Sequence, residues 1–464
     1  MAGTIPTELG TKPINALIRQ YAVPGIIAMT ASSLYNMVDS IFIGHIAGVG
    51  SLAISGLAVT FPLMNISSAL GTLVGVGAAT MISVLLGQKN YKIANKVLAN
   101  EITLNTVIGL LFTVLTLIWM DPILRFFGAS DATLPFARDY MTVIILGNVF
   151  THLYFGLNSV VRSSGNPRLA MRLTLFTVTS NAVLDPVFIF ALGMGIRGAA
   201  VATVLCQLMA LLYTLYYFND EKKFLHLDRK HPFQLDWRIA KDSLSIGMGP
   251  FLMNLASCIV VLFINQQLLK WGGDLAIGAY GIVNRISFLF GMIVMGFNQG
   301  MQPIAGFNYG ARLYARVREV YVKTALWATL VCAVGFVVSE FFPGPAVRLF
   351  TNDPELEGIA RHGLRCMNLV FPIIGFQMVT TNLFQCLGMV RKSIFLSLSR
   401  QLLFLLPCIY FLPPALHSVE GVWYSFPISD TIASLLTAIL AVSLIRKLGR
   451  MKDGDDPSVL GSQI

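Results

Sequence analysis

The chain of 464 residues reads as an all-α integral membrane protein, with twelve transmembrane helices in two pseudo-symmetric six-helix bundles. Three observations predict this fold. Hydrophobic residues make up 55% of the chain and charged ones 12%, with a mean hydropathy of +0.70, whereas a soluble domain carries roughly 25% charge. Apolar runs near the ~20 residues that cross a bilayer as a helix recur along the whole length. The ~10-residue alternating segments of a β-barrel do not dominate anywhere. Finally, the second half echoes the first at an offset of about 223 residues.

Taken in order, the polar start MAGTIPTELGTKPINALIRQ leads straight into the first apolar run. It has no short hydrophobic region with a small-residue cleavage site, so a cleaved signal peptide is not expected. Span one (14–45) contains Pro24, Tyr35 and Asp39, and span two (52–84) contains the close-packing glycines Gly71 and Gly75. Span three covers 98–120, and span four (135–160) carries Asn158. Span five (173–192) carries Asn181, Asp185 and Pro186; span six (198–218) opens on Gly198 and carries Thr203. The longest polar segment, 218–242, has mixed charge and a Pro, and joins the halves. Spans seven to twelve follow at 245–269, 276–306, 324–342, 359–388, 393–412 and 421–445, the last carrying Asp430. The predicted organisation is a bundle over 1–217, a cytoplasmic linker over 218–242, a second bundle over 243–450 and a cytoplasmic tail over 451–464.

Positive charge sorts the loops. With the N-terminus inside, the outside segments hold Arg125, Arg138, Arg197, Lys270, Arg348, Arg361 and Arg365. Arg285 and Arg400 lie within spans, and every other Lys and Arg falls inside. This asymmetry predicts a cell inner (plasma) membrane protein with both termini cytoplasmic. The net charge of +10 is then a topology signal and a contact for anionic lipid headgroups, and needs no nucleic acid to explain it.

The repeat is carried by several weak matches at one offset. LAISG (52–56) matches LAIGA (275–279), and LRFFGASD (124–131) matches VRLFTNDP (347–354). RSSGNPR (162–168) matches QCLGMVR (385–391), and GAAVAT (198–203) matches GVWYSF (421–426). A parallel six-plus-six repeat is the architecture of a transporter whose halves rock about a central cavity.

The halves differ in their acids. Asp39 and Asp185 sit in the middle of apolar runs, and neither has an acidic counterpart in the second half. A charge at the bilayer centre costs at least ~2.5–3.5 kcal/mol, and such residues usually face a bundle interior on an ion or proton path. Each has a polar residue at i−4 on the same helical face, Tyr35 and Asn181. Two carboxylates sharing a poorly hydrated place resist double ionisation, so a proton, or a Na⁺ held by oxygen ligands, is a natural occupant. Asn181 and Thr203 offer neutral oxygens to such a shell. The plainer alternative is a pair of structural acids satisfied by Asn, Tyr and backbone donors. Asn158 is a candidate lining residue of a substrate cavity. Asp430 is another, with pairing to an Arg such as Arg400 as its alternative; Arg285 and Arg400 are expected to snorkel or to meet carbonyls.

These residues carry a family resemblance over about 14–445. Pro24, Tyr35 and Asp39 form P-x(10)-Y-x(3)-D, Arg162–Pro167 form R-x-x-G-N-P, and Asn181 to Pro186 form N-x(3)-D-P; Gly198 and Thr203 open span six. Together they resemble the multidrug and toxic compound extrusion (MATE) family. The likeness is to DinF-like and MepA-like members rather than to the NorM type, which adds acids in helices seven and eight. Here those spans hold no Asp or Glu, since Asp274 sits in the loop between them. The resemblance implies an antiporter and no enzyme. It would export amphipathic, often cationic small molecules against inward Na⁺ or H⁺, as a monomer in contact with membrane lipids. It also implies that Asp39, Asn181, Asp185 and Thr203 hold the ion, possible Na⁺ included, with Tyr35 hydrogen-bonding nearby and Pro24 letting span one bend.

Other functions fit less well. A flippase for lipid-linked sugars needs a cationic cavity, and intramembrane Arg is sparse. An intramembrane aspartyl protease needs a GxGD-type motif, which neither acid has. No GxxxxGK[ST] phosphate loop is present, so ATP is not the energy source, and no cofactor is implied beyond the coupling ion. The six cysteines fall in or beside apolar stretches and read as small core hydrophobes. The six histidines show no HxxxH and no Cys/His pairing, which gives a zinc-type centre no support.

Overall fold

Each long apolar run becomes a helix, because a backbone crossing lipid must satisfy its own N–H and C=O groups. The structure is a computed structural model that describes residues 8–44, 46, 50–227, 233 and 235–456, the side chains of 34–41, 44, 50–52 and 54 excepted. By length and composition, eight helices of the described residues suffice to cross a membrane. Two bent pairs raise this to ten: Leu134–Leu146 with Asn148–Ser163 at 56°, and Pro354–Met367 with Phe371–Cys386 at 54°. The longest of the eight, Trp237–Gly310, breaks at Gly273, where φ 69° and ψ −169° leave the helical region, so it supplies both spans seven and eight. Ile14–Gly44 is span one and completes the twelve.

The spans are therefore Ile14–Gly44, Gly50–Gly87, Tyr91–Ile118, the Leu134–Ser163 pair, Pro167–Ala191, Ile196–Phe218, the two parts of Trp237–Gly310, Tyr314–Phe341, the Pro354–Cys386 pair, Val390–Leu416 and Glu420–Arg450. Spans five and eleven are not uniform. Each contains a π-helical turn, Val187–Ala191 and Ser399–Leu405.

Helix boundaries repeat as the sequence does. Spans three and nine run Tyr91–Ile118 and Tyr314–Phe341, followed by short helices at Met120–Phe126 and Pro343–Arg348. The turns before them repeat a strained conformation: Lys89 and Arg312 have φ of 60° and 59°, a region that side chains rarely adopt. Gly165 and Gly388, aligned in sequence, have φ of 100° and 67°. The two bent spans are pinned alike. Ser67 Oγ donates to Asn148 Oδ1 at the bend of span four, and Ser287 Oγ donates to Asn368 Oδ1 at 3.0 Å at the bend of span ten.

The chain divides into two compact units, and the boundaries cut through helices. Unit one takes in Ile27–Phe251 with the first residues to Thr11; unit two takes in Lys12–Ile26 and Leu252–Ile464. Within unit one, the start of span seven lies on span two so closely that a Cβ on Gly77 would overlap the carbonyl of Ser243. A Cβ on Gly247 would likewise overlap the carbonyl of Leu73. Within unit two, the start of span one lies on span eight, where a Cβ on Gly296 would stand 2.5 Å from Ile26 Cα and one on Gly300 2.6 Å from Ala22 Cα. Small residues at these places let backbones touch, which drives helix association where water cannot. Pro24 and Pro250 each lie just before the point at which their helix passes from one unit to the other.

Each unit has its own apolar core. Tyr140, Met141, Ile145, Leu124 and Ala199 centre that of unit one. Trp423, Val283, Leu364 and Ile409 centre that of unit two. Apolar side chains such as Leu111 and Val114 on span three, and Leu326 and Val334 on span nine, point outward, where a bilayer would cover them.

Candidate cation-coupling site

Spans five and six of unit one bring three of the predicted residues together in the interior. Asp185 is fully buried, Asn181 is 2% exposed and Thr203 7%. Asn181 Nδ2 donates to Thr203 Oγ1 at 3.2 Å, which leaves the amide oxygen to other partners. That oxygen, Asn181 Oδ1, is buried and accepts no hydrogen bond among the described residues. Buried Cys206, on the next turn of span six, lies within electrostatic reach of the Asp185 carboxylate.

Local sequence builds this corner. Pro186 has no N–H for the carbonyl of Ala182, so the regular ladder fails directly after Asp185. The helix continues as a π turn, with Leu192 N donating to Val187 O at 2.9 Å. Such turns gather at functional positions. Span six then begins against this widened turn: a Cβ on Gly198 would come within 2.7 Å of the Phe188 carbonyl. Gly198 is the residue that allows the approach, and it sets Thr203 opposite Asn181. What the arrangement offers chemically is an acidic group and hard oxygen atoms in a dry setting, suited to a proton or a small cation.

The other predicted residues fall out as follows. The side chains of Tyr35 and Asp39 lie outside the described residues, although their helix, Ile14–Gly44, is continuous through both positions. Pro24 is buried inside that helix. Asn158 is half-buried and ties span four to span five, donating to Thr174 Oγ1 at 3.0 Å and to the Tyr154 hydroxyl at 3.4 Å. Asp430, buried, accepts from Arg400 Nε at 2.6 Å, an ion pair between spans eleven and twelve of unit two. This corrects the expectation that Arg400 snorkels or meets carbonyls. The aligned position in unit one is neutral: Thr151 Oγ1 donates to Gln207 Oε1 at 2.5 Å. Arg285 is exposed.

Sequence reading missed a second buried acid among the described residues of unit one, besides Asp185. Glu101 on span three is 1% exposed and accepts from Asn105 Nδ2 at 2.7 Å. Its Oε2 and the Asn105 Oδ1 beside it receive no donor among the described residues. It lies against Gly156 of span four, where a Cβ would overlap the carboxylate. The signal was present in NEITLN, but Glu101 sits near the inner end of its run, where an acid reads as interfacial. A second correction concerns the histidines. His362 and Cys366 are an i,i+4 pair, and Glu420 joins them, so the three ligand atoms lie within 4.8 Å of one another. All six cysteines are free, and four are buried.

Comparison with known proteins gives a consistent picture. The MatE family model matches residues 24–187 and 246–411. Multidrug export protein MepA of Staphylococcus haemolyticus (strain JCSC1435) is 28% identical over 431 residues, 92% of this chain and 93% of that protein. Multidrug export protein MepA of Staphylococcus aureus (strain MSSA476) is 29% identical over 437 residues, 94% of each. Among solved structures, an outward-facing multidrug resistance MATE family transporter of the MOP superfamily superposes with a TM-score of 0.88 at 24% identity, over 97% of this chain and 100% of that one. MATE structures described as straight and as bent each give 0.89 at 24% identity, over 97% of this chain and 100% and 99% of theirs.

Proposed function

This chain belongs to the MatE family, and we propose that it is a secondary-active antiporter that exports amphipathic, cationic small molecules in exchange for inward H⁺ or Na⁺. Multidrug export is the function its MepA relatives are named for. The observation that carries the coupling reading is the full burial of Asp185 in an apolar span beside the buried oxygen Asn181 Oδ1, which accepts no hydrogen bond among the described residues. In this reading Asp39 of span one supplies the second carboxylate, Tyr35 steadies it, and Thr203 completes the oxygen set. A carboxylate whose pKa differs by one unit between two conformations biases their balance by about 1.4 kcal/mol on protonation. A ligand moves an equilibrium only by such differential affinity. Pro24 is the place where span one bends in response, since the ring removes one rung of its ladder.

In the same reading the bundles 1–217 and 243–450 are the moving lobes, joined by 218–242. The protein works as a monomer in the cell inner membrane with both termini in the cytoplasm. Its basic loops rest on anionic lipid.

Proteoliposomes loaded with a fluorescent lipophilic cation test this. Export should follow either an imposed pH gradient or an imposed Na⁺ gradient, and Asp185→Asn and Asp39→Asn should each abolish it while purifying as folded protein. Export that persists in both variants, or substrate affinity in detergent that ignores both pH and Na⁺, would overturn the coupling role.

A further inference from the structure

We propose that His362, Cys366 and Glu420 form a binding site for a borderline-soft divalent cation of the Zn²⁺ type. The first two lie on the Pro354–Met367 half of span ten, one turn apart and therefore on one face. Glu420 is the first residue of the span-twelve helix. His362 Nε2 stands 2.6 Å from Glu420 Oε2 and 3.4 Å from Cys366 Sγ, and all three ligand atoms lie within 4.8 Å. Tetrahedral Zn²⁺ with N, S and O ligands at its usual bond lengths separates those atoms by about 3.3–3.7 Å. Displacements on the order of 1 Å bring the three ligand atoms to those separations.

The backbones that hold the site are fixed by packing. Gly363, between the two ligands, lies flat on the Trp423 ring, where a Cβ would come within 2.8 Å of its carbons. Trp423 is itself buried in the core of unit two. The Tyr424 hydroxyl lies within hydrogen-bonding reach of Cys366. The nearby cations do not occupy Glu420: Arg361 and Arg348 both pair with Glu357, and Arg365 is exposed. The side chains of His362 and Glu420 are 47% and 37% exposed, so the fourth position opens to water, as in sites with three protein ligands. An imidazole, a thiolate and a carboxylate together favour Zn²⁺ over Mg²⁺ or Ca²⁺, which take oxygen shells. A bound ion would tie the half of span ten nearest its start to the first turn of span twelve.

The test uses Co²⁺ as a spectroscopic stand-in on the purified full-length chain in detergent. One equivalent of Co²⁺ should give a thiolate-to-cobalt charge-transfer band that Zn²⁺ displaces. Cys366→Ser should remove the band. His362→Ala and Glu420→Gln, at exposed positions that leave folding intact, should each raise the apparent Kd at least about tenfold. A wild-type protein with no charge-transfer band overturns the proposal. So does a band that survives Cys366→Ser, because it then belongs to one of the other five cysteines, or an affinity unmoved by both His362→Ala and Glu420→Gln.

Discussion

Replacing Asp430 with Asn should destabilise the protein by about 3–5 kcal/mol, while Asp430→Leu combined with Arg400→Met should restore or exceed the original stability. Arg400 Nε stands 2.6 Å from Asp430 Oδ1, and their side chains are 22% and 4% exposed. At that separation and an effective dielectric near 20, the attraction is about 6 kcal/mol. Withdrawing the two groups from water costs several kcal/mol each, so the intact pair is near balance. Removing one charge leaves the other buried with its cost and no return. Removing both, in apolar shapes of similar volume, leaves neither. Fluorescence-monitored thermal unfolding of the parent, Asp430→Asn, Asp430→Leu, Arg400→Met and the Asp430→Leu/Arg400→Met double variant in one detergent should place every single variant several degrees below the parent, and the double variant level with it or above. A double variant as unstable as the sum of the singles would refute the balance argument. If Asp430→Asn left the melting temperature unchanged and abolished export, Asp430 would be a substrate contact and the ion pair incidental.

Three further outcomes follow from burial and packing. Glu101→Gln should leave stability level or raise it by about 1 kcal/mol, because the new amide supplies donors next to Asn105 Oδ1, which has none; a fall in melting temperature of several degrees would show that the ionised carboxylate is required. Gly156→Ala should sharply reduce the yield of folded protein, since its Cβ overlaps Glu101, whereas Gly281→Ala, with nothing within 4 Å, should stabilise by about 0.5–1 kcal/mol; equal yields would contradict the packing. Asn368→Ala removes a donor to Ser339 Oγ at 2.9 Å as well as the acceptor for Ser287, and should cost about 1–3 kcal/mol in a thermal scan; a neutral result would mean the bend of span ten holds without it.

What the sequence made legible was what a bilayer dictates. Apolar length located the spans, and the repeat aligned Gly165 with Gly388, which both prove left-handed; the matching turn at Lys89 and Arg312 came only from the structure. The corner around Asp185 was legible because a mid-run acid beside Pro186, four residues from Asn181, has few uneventful explanations. The bends at Gly147 and near Asn368 were not legible, because hydropathy continues unbroken across them and only the cross-span Ser–Asn bonds reveal them. Nor was the grouping of His362, Cys366 and Glu420, since Glu420 comes from a different span and local spacing says nothing about which helix ends meet. The Arg400–Asp430 pair was legible only as one alternative for Asp430, because apolar runs do not say which spans face each other.

The π turn at Val187–Ala191 takes up one extra residue in span five. A turn closed by i→i+5 bonds holds one residue more than its α-helical equivalent while advancing about as far round the axis. The part of the helix before Pro186 turns Asn181 and Asp185 inward, while Val187, Phe190 and Leu192 beyond are exposed. Deleting one residue from 187–191 would let the ladder close as ordinary α-helix with the flanking parts near their present phase, and the corner would lose only the widened turn against which Gly198 packs. Deleting one residue between Asn181 and Asp185 has no such turn to absorb it and would rotate the two out of line by about 100°. The same deletion is mild at one place in the span and disruptive a single turn earlier.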